Sequence, residues 1–304
     1  MKHVFIVNPS AGTGKCPVTR DMLSGLCPDK DWEIYTTRGP LDATAYVKAL
    51  CSKHEGDELR VYACGGDGTL NEVVSGAVGF ENVSVGCCPC GSGNDYVKYY
   101  GGSLPFTDIP ALMRAQTRPI DLLRVNDRYA VNACHFGFDT AVARTMSAVK
   151  GKPLIGGRRA YSSAIVYSLF TAMRTSCVIS ADGELICPDS MLLCTLANGS
   201  HVGGSFKCAP RSKNNDGLIE LCMARPVSIP RFAALVKTYQ KGLHLDDPRF
   251  KEIITYRQVR HVDIDGPEGF AVSIDGEILE GSHISVDIVP SALNFIVPEG
   301  ASDN

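Results

Sequence analysis

Over residues 2–119, short apolar runs alternate with stretches in which apolar residues return at helical spacing. Val4-Phe5-Ile6-Val7, Leu59-Arg60-Val61-Tyr62-Ala63 and Val83-Ser84-Val85-Gly86-Cys87-Cys88 read as buried strands, and Leu70, Val73, Val74 and Ala77 mark one face of a helix after the second run. Alternation of this kind predicts a doubly wound α/β domain. After Ile120 the texture changes. Strand-like runs such as Met191-Leu192-Leu193-Cys194-Thr195-Leu196, Leu218-Ile219-Glu220-Leu221-Cys222, Ile253-Ile254-Thr255-Tyr256 and Ile284-Ser285-Val286-Asp287-Ile288 dominate, with Gly, Asn and Asp between them. That pattern predicts a second domain of antiparallel β-structure. Ala271-Val272-Ser273-Ile274 and Ile278-Leu279 flank Asp275-Gly276, the signal of an Asp-Gly hairpin turn. Two helical stretches, at about residues 139–149 and 158–173, interrupt this half.

Three strand ends in the first half carry polar, glycine-rich loops, and in an open parallel sheet such loops gather where ligands bind. Gly65-Gly66-Asp67-Gly68-Thr69 joins a strand to a helix, and its glycines leave room for a ligand against the main chain. Thr69 and Glu72 have capping-box spacing, which would leave amides at the helix start facing an anion. Asp67 would repel that anion, so its action would run through a metal, a water or a substrate hydroxyl; a tight turn with an acidic cap is the plain alternative. Gly91-Ser92-Gly93-Asn94-Asp95 repeats the theme of strand, turn and helix. Asn8-Pro9-Ser10-Ala11-Gly12-Thr13-Gly14-Lys15 is the third loop; it is not a Walker motif, because Lys15 is followed by Cys16. Lys15 reads either as a phosphate contact or as an exposed loop lysine.

These loops, followed in order by Asp121-Leu122, Asn198-Gly199 with Gly203-Gly204, Ala209-Pro210, Asp216-Gly217-Leu218 and Asp275-Gly276-Glu277, span most of the chain. In this set the sequence resembles the diacylglycerol-kinase-type lipid kinases of the soluble bacterial branch. A glycine-aspartate turn alone is shared with NAD kinases and phosphofructokinases; the Gly91-to-Asp95 and Asp275-to-Glu277 motifs favour the lipid kinases. The resemblance implies an NAD kinase/phosphofructokinase-like, Rossmann-like nucleotide-binding domain over residues 1–120. It implies a β-sandwich-like lipid domain over residues 121–289 and a tail, 290–304, that returns to the first domain. The implied reaction is ATP- and magnesium-dependent transfer of the γ-phosphate to a lipid hydroxyl, with diacylglycerol as the leading acceptor. Monoacylglycerol, sphingoid or ceramide bases and polyprenols also offer a hydroxyl on an apolar body, and a catalytically silent regulator on the same fold is the reading from another class.

Carried over by the resemblance, Asn8, Gly14, Lys15, Thr37, Gly65, Gly66, Asp67, Gly68, Thr69 and Ser92 are nucleotide contacts. Glu277 is the base that deprotonates the acceptor, with Asp67 as the rival for that role. Asp67 and Asp95 organise metal and water around the γ-phosphate, and Asp121 joins that network. Lys213, Asp216 and Leu218, on what otherwise reads as a surface turn, hold a structural magnesium through two backbone oxygens and one carboxylate. Some relatives carry a functional lysine in the second helical stretch; this chain has none between Arg158 and Arg174, which leaves Arg158 or Arg159 to stand in for it.

Composition narrows the partners. A chain of 304 residues, 44% hydrophobic and 21% charged, can bury two cores. A net charge of −3 provides no footprint for nucleic acid. No apolar run is long enough for a bilayer, and the N-terminus lacks a signal-peptide pattern, so the expected place is the cytoplasm, with transient contact at the inner membrane surface. Basic residues Lys150, Lys152, Arg158, Arg159 and Arg174 border the second helical stretch and would serve that contact, or form an ordinary solvated rim. The thirteen cysteines are expected to be reduced and packed, and Cys87-Cys88-Pro89-Cys90 has no second pair to complete a zinc site. Oligomeric state stays open, a homodimer among the states allowed.

Overall fold

A computed structural model describes residues 1–12, 18–138, 140–141 and 173–303. Gly14 and Lys15 lie outside the described residues, as do both helical stretches apart from Thr140, Ala141 and Met173. The first half runs β1 (Lys2–Val7), α1 (Arg20–Leu26), β2 (Trp32–Thr36), α2 (Asp42–Lys53), β3 (Leu59–Gly65), α3 (Asp67–Ala77), β4 (Val83–Pro89), α4 (Ile109–Arg114) and β5 (Gln116–Val125). The second runs β6 (Arg128–Ala130), β7 (Ala133–Gly137), β8 (Thr175–Ser176), β9 (Val178–Ala181), β10 (Glu184–Cys187), β11 (Ser190–Met191), β12 (Leu193–Ala197) and β13 (Ile219–Ala224). It ends with α5 (Ile229–Gln240), β14 (Ile254–Val259), β15 (His261–Asp265), β16 (Ala271–Ile274), β17 (Glu277–Glu280) and β18 (His283–Val297).

An N-terminal α/β domain is followed by a β-sandwich, the class that the sequence predicts. Strands β4-β3-β1-β2 are parallel neighbours, and every residue of β3 is buried, as a strand covered on both faces requires. The long strand β18 belongs to both halves: His283–Asp287 pair with β15, and Asn294 and Phe295 pair with β4. Its register against β5 shifts between Val289 and Leu293, and there Asp121 accepts a hydrogen bond from the Ser291 amide at 2.8 Å. The change of texture at Ile120 thus falls inside a strand of the shared ten-stranded sheet.

The second sheet, in order β14-β13-β12-β7-β16-β17, uses its two faces differently. Cys134, Phe136, Leu196, Leu221 and Val272 face the first sheet and pack with Val262, Ile264, Ile284 and Val286. On the opposite face Leu193, Cys222 and Ala224 pack with Leu235 and Tyr239 of α5 and with Phe250. Buried cysteines behave as small apolar residues: burial pushes the Cys51 thiol up to about 11, and Cys87 and Cys88 are buried in β4. No described helix is long and apolar enough to cross a membrane.

Two local expectations change. Residues Tyr96–Tyr100 form a 3-10 turn, not an α-helix, closed by Gly101 at φ 85°. Tyr96, Val97, Tyr99 and Tyr100 are all buried, around Phe295 and Phe106, and only Lys98 is partly exposed, so the segment lacks the broad polar face of an amphipathic helix. The Thr69/Glu72 capping box does not form either. Asp67 is the first residue of α3, Gly66 makes no side-chain cap, and Glu72 reaches across to accept the Ala43 amide of α2 at 3.2 Å. Glu72 therefore caps the neighbouring helix, whose own N-cap Leu41 has no side chain to do so.

The α2–α3 contact turns on Gly76, where a Cβ would lie 2.7 Å from the Thr44 carbonyl oxygen and 2.8 Å from Val47 Cβ. Gly76→Ala should destabilise the protein by roughly 1–3 kcal/mol through overpacking. Gly25 in α1 has open space around its Cβ position, so Gly25→Ala should stabilise by roughly 0.5–1 kcal/mol through helix propensity. Urea unfolding of the two variants should show shifts of opposite sign.

Candidate active site

The three glycine-rich loops converge at the carboxyl ends of β1, β3 and β4 through contacts that only glycine allows. A Cβ on Gly91 would lie 2.4 Å from Gly66 Cα, and one on Gly12, at φ 58°, would lie 2.1 Å from the Cys90 carbonyl oxygen. Gly65 closes on Thr69, whose hydroxyl accepts a hydrogen bond from Asn8 Nδ2 at 3.0 Å. The Thr37 amide bonds to the Val7 carbonyl, which puts Thr37 beside Asn8. Ser92 is exposed on the second loop, and Gly68 lies in the uncapped first turn of α3. Asn8, Thr37, Gly65, Gly66, Gly68 and Thr69 thus share one end of the sheet, where an eleven-residue helix presents its N-terminus, a setting suited to phosphate.

Asp67 and Asp95 form the acidic centre. Asp67 Oδ1 accepts the Asp95 amide at 2.6 Å and the Tyr96 amide at 3.4 Å. Burial, then the neighbouring Asp95 charge, lifts the Asp67 carboxyl from its usual 3.8 to about 6. Asp95 accepts the Gly204 amide at 3.0 Å and pairs with Lys98 Nζ at 2.5 Å. Lys98 also donates to the carbonyls of Gly93 and Gly204, both at 2.7 Å. It ties the second loop to the sandwich, a role that nothing in its local sequence announces.

Asp275 and Gly276, at φ 47° and 98°, make the two-residue turn between β16 and β17. The Asp275 carboxylate is buried, which raises its pKa, and it accepts Asn71 Nδ2 and the amides of Val131, Asn132 and Ala133 within 2.8–3.1 Å. Glu277 follows, exposed, with Oε1 4.0 Å from where a Cβ on Gly68 would sit. The hairpin thereby brings a carboxylate of the second half to the first turn of α3.

Asp121 joins two bends of the backbone. Its two carboxylate oxygens accept the amides of Gly217 and Ser291, at 2.7 and 2.8 Å. It holds the 213–218 turn to the β18 bulge because these two amides have no ladder partner at those bends. Nor is that turn only a surface feature: Asn214 is buried and donates to the hydroxyls of Tyr100 at 2.7 Å and Tyr96 at 3.0 Å. Asp216 accepts the Leu218 amide, and burial, then nearby Asp121, raises its pKa. The carboxylate of Asp216 with the backbone oxygens of Lys213 and Leu218 is an all-oxygen set that fits a hard divalent cation, whose charge would offset the repulsion from Asp121.

A cavity of about 490 Å³ leads from Asp67, Asp95 and Asp275 into apolar walls that include Phe138, Leu193, Phe232, Leu235 and Ile253. Its α5 wall was legible in principle, since Phe232, Leu235, Val236 and Tyr239 fall at i, i+3, i+4 and i+7. The apolar groove expected from residues 158–173 lies outside the described residues.

Phosphate-type loops on an α/β domain, paired carboxylates and an apolar cavity in a β-sandwich define a two-domain kinase architecture. The family model for the diacylglycerol kinase catalytic domain matches residues 2–125, and that for the YegS C-terminal NAD kinase beta sandwich-like domain matches residues 132–297. The chain belongs to the YegS-like, diacylglycerol-kinase-type family of ATP-dependent lipid kinases. A protein of Chromohalobacter salexigens named "Probable lipid kinase YegS-like" is 28% identical over 84% of this chain and 81% of its own length. A Bacillus subtilis protein named diacylglycerol kinase is 31% identical over 71% and 70%. A crystal structure of a diacylglycerol kinase from Bacillus anthracis str. Sterne, 20% identical, shares the fold with a TM-score of 0.68 over 99% of this chain and 98% of that one.

The raised Asp67 pKa sets a pH dependence. Because the folded protein binds this proton more tightly than the unfolded chain, folding stability is lost as pH rises through about 6. The full effect is roughly 3 kcal/mol. Asp67→Asn should therefore be more stable than wild type by roughly 1–3 kcal/mol near pH 8, and lose that advantage near pH 4. Urea unfolding at the two pH values checks this; equal stabilities near pH 8 would contradict it.

Proposed function

We propose that the protein transfers the γ-phosphate of magnesium-bound ATP to the hydroxyl of diacylglycerol, forming phosphatidic acid at the inner surface of the membrane. The observation that carries this reading is the cavity, which joins an acidic, glycine-lined end to a long apolar interior. Such a shape suits an acceptor with one reactive hydroxyl on an apolar body. A relative named diacylglycerol kinase supports the choice of acceptor.

In this reading Asn8, Thr37, Gly65, Gly66, Gly68, Thr69 and Ser92 hold the nucleotide, together with Gly14 and Lys15 of the first loop. Glu277 takes the acceptor's proton as its oxygen forms a bond to the γ-phosphorus, and the bond to the β-phosphate oxygen breaks to release ADP. Glu277 suits this role better than Asp67: no hydrogen bond among the described residues engages its carboxylate, whereas Asp67 is committed to the Asp95 and Tyr96 amides. Asp67 and Asp95 hold the metal and water about the γ-phosphate, and magnesium supplies charge neutralisation there. A second magnesium at Lys213, Asp216 and Leu218 would brace the turn that Asn214 ties to Tyr96 and Tyr100. The bilayer delivers the acceptor, so contact with it is transient.

The test is transfer of labelled γ-phosphate from ATP into diacylglycerol vesicles with magnesium. Glu277→Gln should lower turnover at least about 100-fold with little change in ATP affinity. Asp67→Ala should abolish transfer while the protein stays folded. Near-normal turnover in Glu277→Gln moves the base to Asp67, and nucleotide binding without any labelled lipid moves the function to a regulator.

A further inference from the structure

On the solvent side of the ten-stranded sheet runs a row of charged side chains that the proposed chemistry leaves unused. In β15, Val262 and Ile264 point into the core, which leaves His261, Asp263 and Asp265 on the other face. In β18, Ile284 and Val286 point inward, and His283, Ser285 and Asp287 outward. His261 pairs directly with Asp287, Asp265 with His283, and Asp287 with Arg124 of β5. Directly paired residues share a face, so these side chains meet. His261 Nδ1 lies 2.8 Å from Asp287 Oδ1, and its Nε2 lies 2.9 Å from Asp263 Oδ2. His283 Nδ1 lies 2.8 Å from Asp265 Oδ1, and its Nε2 lies 3.9 Å from Asp263 Oδ1. Arg124 closes the row on Asp287 Oδ2 at 3.0 Å.

A neutral imidazole donates from one nitrogen and accepts at the other. At His261 both nitrogens face carboxylate oxygens, which are acceptors, so the geometry is complete only when both carry a proton. Hydrogen bonds to Asp263 and Asp287 raise the His261 pKa above its ordinary 6.5, and the hydrogen bond to Asp265 does the same for His283. On β9, beside β15, Ser180 stands opposite Asp263 and Val178 opposite Asp265, so that strand adds no titratable group. Asp182, just past β9, accepts the amides of Arg260 at 3.1 Å and His261 at 2.9 Å. With both rings protonated, Arg124, Asp287, His261, Asp263, His283 and Asp265 alternate in sign. With both neutral, one arginine faces three carboxylates. The row is not a metal cage: among the described residues no three His, Cys, Asp or Glu side chains are placed to hold a metal ion.

We propose that this row is a pH-sensitive clamp across β15, β18 and β5: protonated His261 and His283 bridge the three carboxylates and hold the strands together, and loss of the two protons releases them. A proton bound more tightly by the folded chain adds stability that is fully present below pH 6.5 and is lost as pH rises through the raised folded-state value. Strand β18 pairs with both halves of the protein, so the clamp acts on the element that joins the two domains. The side chains of His261 and His283 are 39% and 62% exposed, so salt weakens the clamp.

Histidine-ring NMR on the full chain reads the titration, with His261→Gln and His283→Gln assigning the two resonances. Both midpoints should lie above the ordinary 6.5. Asp263→Asn should lower both midpoints, because its carboxylate lies between the two rings, whereas Asp265→Asn should act chiefly on His283. A His261 midpoint at or below 6.5, or one that Asp263→Asn leaves in place, overturns the proposal. If Asp263→Asn does not fold, Asp287→Asn takes its place and must lower the His261 midpoint. Urea unfolding reads the clamp itself. Near pH 5.5 wild type should unfold at higher urea than His261→Gln, and the gap should close by at least about half near pH 9. Salt at about 1 M should narrow the gap near pH 5.5. Asp67, which titrates at about 6, is present in both proteins and cancels from the comparison. A gap that is the same at both pH values, or absent from both, overturns the clamp.

Discussion

Asp275 accepts hydrogen bonds from Asn71 on α3 and from three successive amides at the start of β7, and the assembly of the site depends on that carboxylate. A carboxylate in a buried position is costly unless its lone pairs are met by donors. Here one donor comes from the α/β domain and three from the sandwich, so meeting them fixes the two halves against each other. Asp275 also occupies a left-handed position in its own hairpin, next to Gly276, where an aspartate is tolerated better than most side chains. The turn, the domain contact and the placing of Glu277 are one arrangement.

Around it the loops meet backbone to backbone. Gly66 and Gly91 meet without side chains between them, and Gly12 lies against the Cys90 carbonyl, so the three loops form one surface. The long strand β18 runs through both halves, which makes the sheet behind these loops continuous with one wall of the sandwich. Asp67 and Asp95 face each other on that surface with like charge, a placement that opposes folding. Lys98 offsets part of this by pairing with Asp95 and by gathering the Gly93 and Gly204 carbonyls.

Elements whose cause is local could be read directly from the chain. Strands β1, β3 and β4, the helix after Asp67, the glycine-rich loops and the Asp275-Gly276 hairpin all follow from periodicity or from turn chemistry within a few residues. So did the order of motifs that identifies the family. What the sequence could not supply depends on residues far apart in the chain. Glu72 caps a helix twenty-nine residues upstream, Asp121 holds a turn ninety-six residues on, and Asn214 reaches the tyrosines of a 3-10 turn more than a hundred residues earlier. Local spacing allowed a capping box at Thr69 and Glu72 and an α-helix after Asp95. Tertiary packing overruled both, because a side chain bonds to whichever partner the fold brings within reach. The sequence by itself determined the elements, the loops and the family chemistry; the tertiary structure decided which carboxylates meet and where the apolar cavity opens, because these are set by contacts between distant segments.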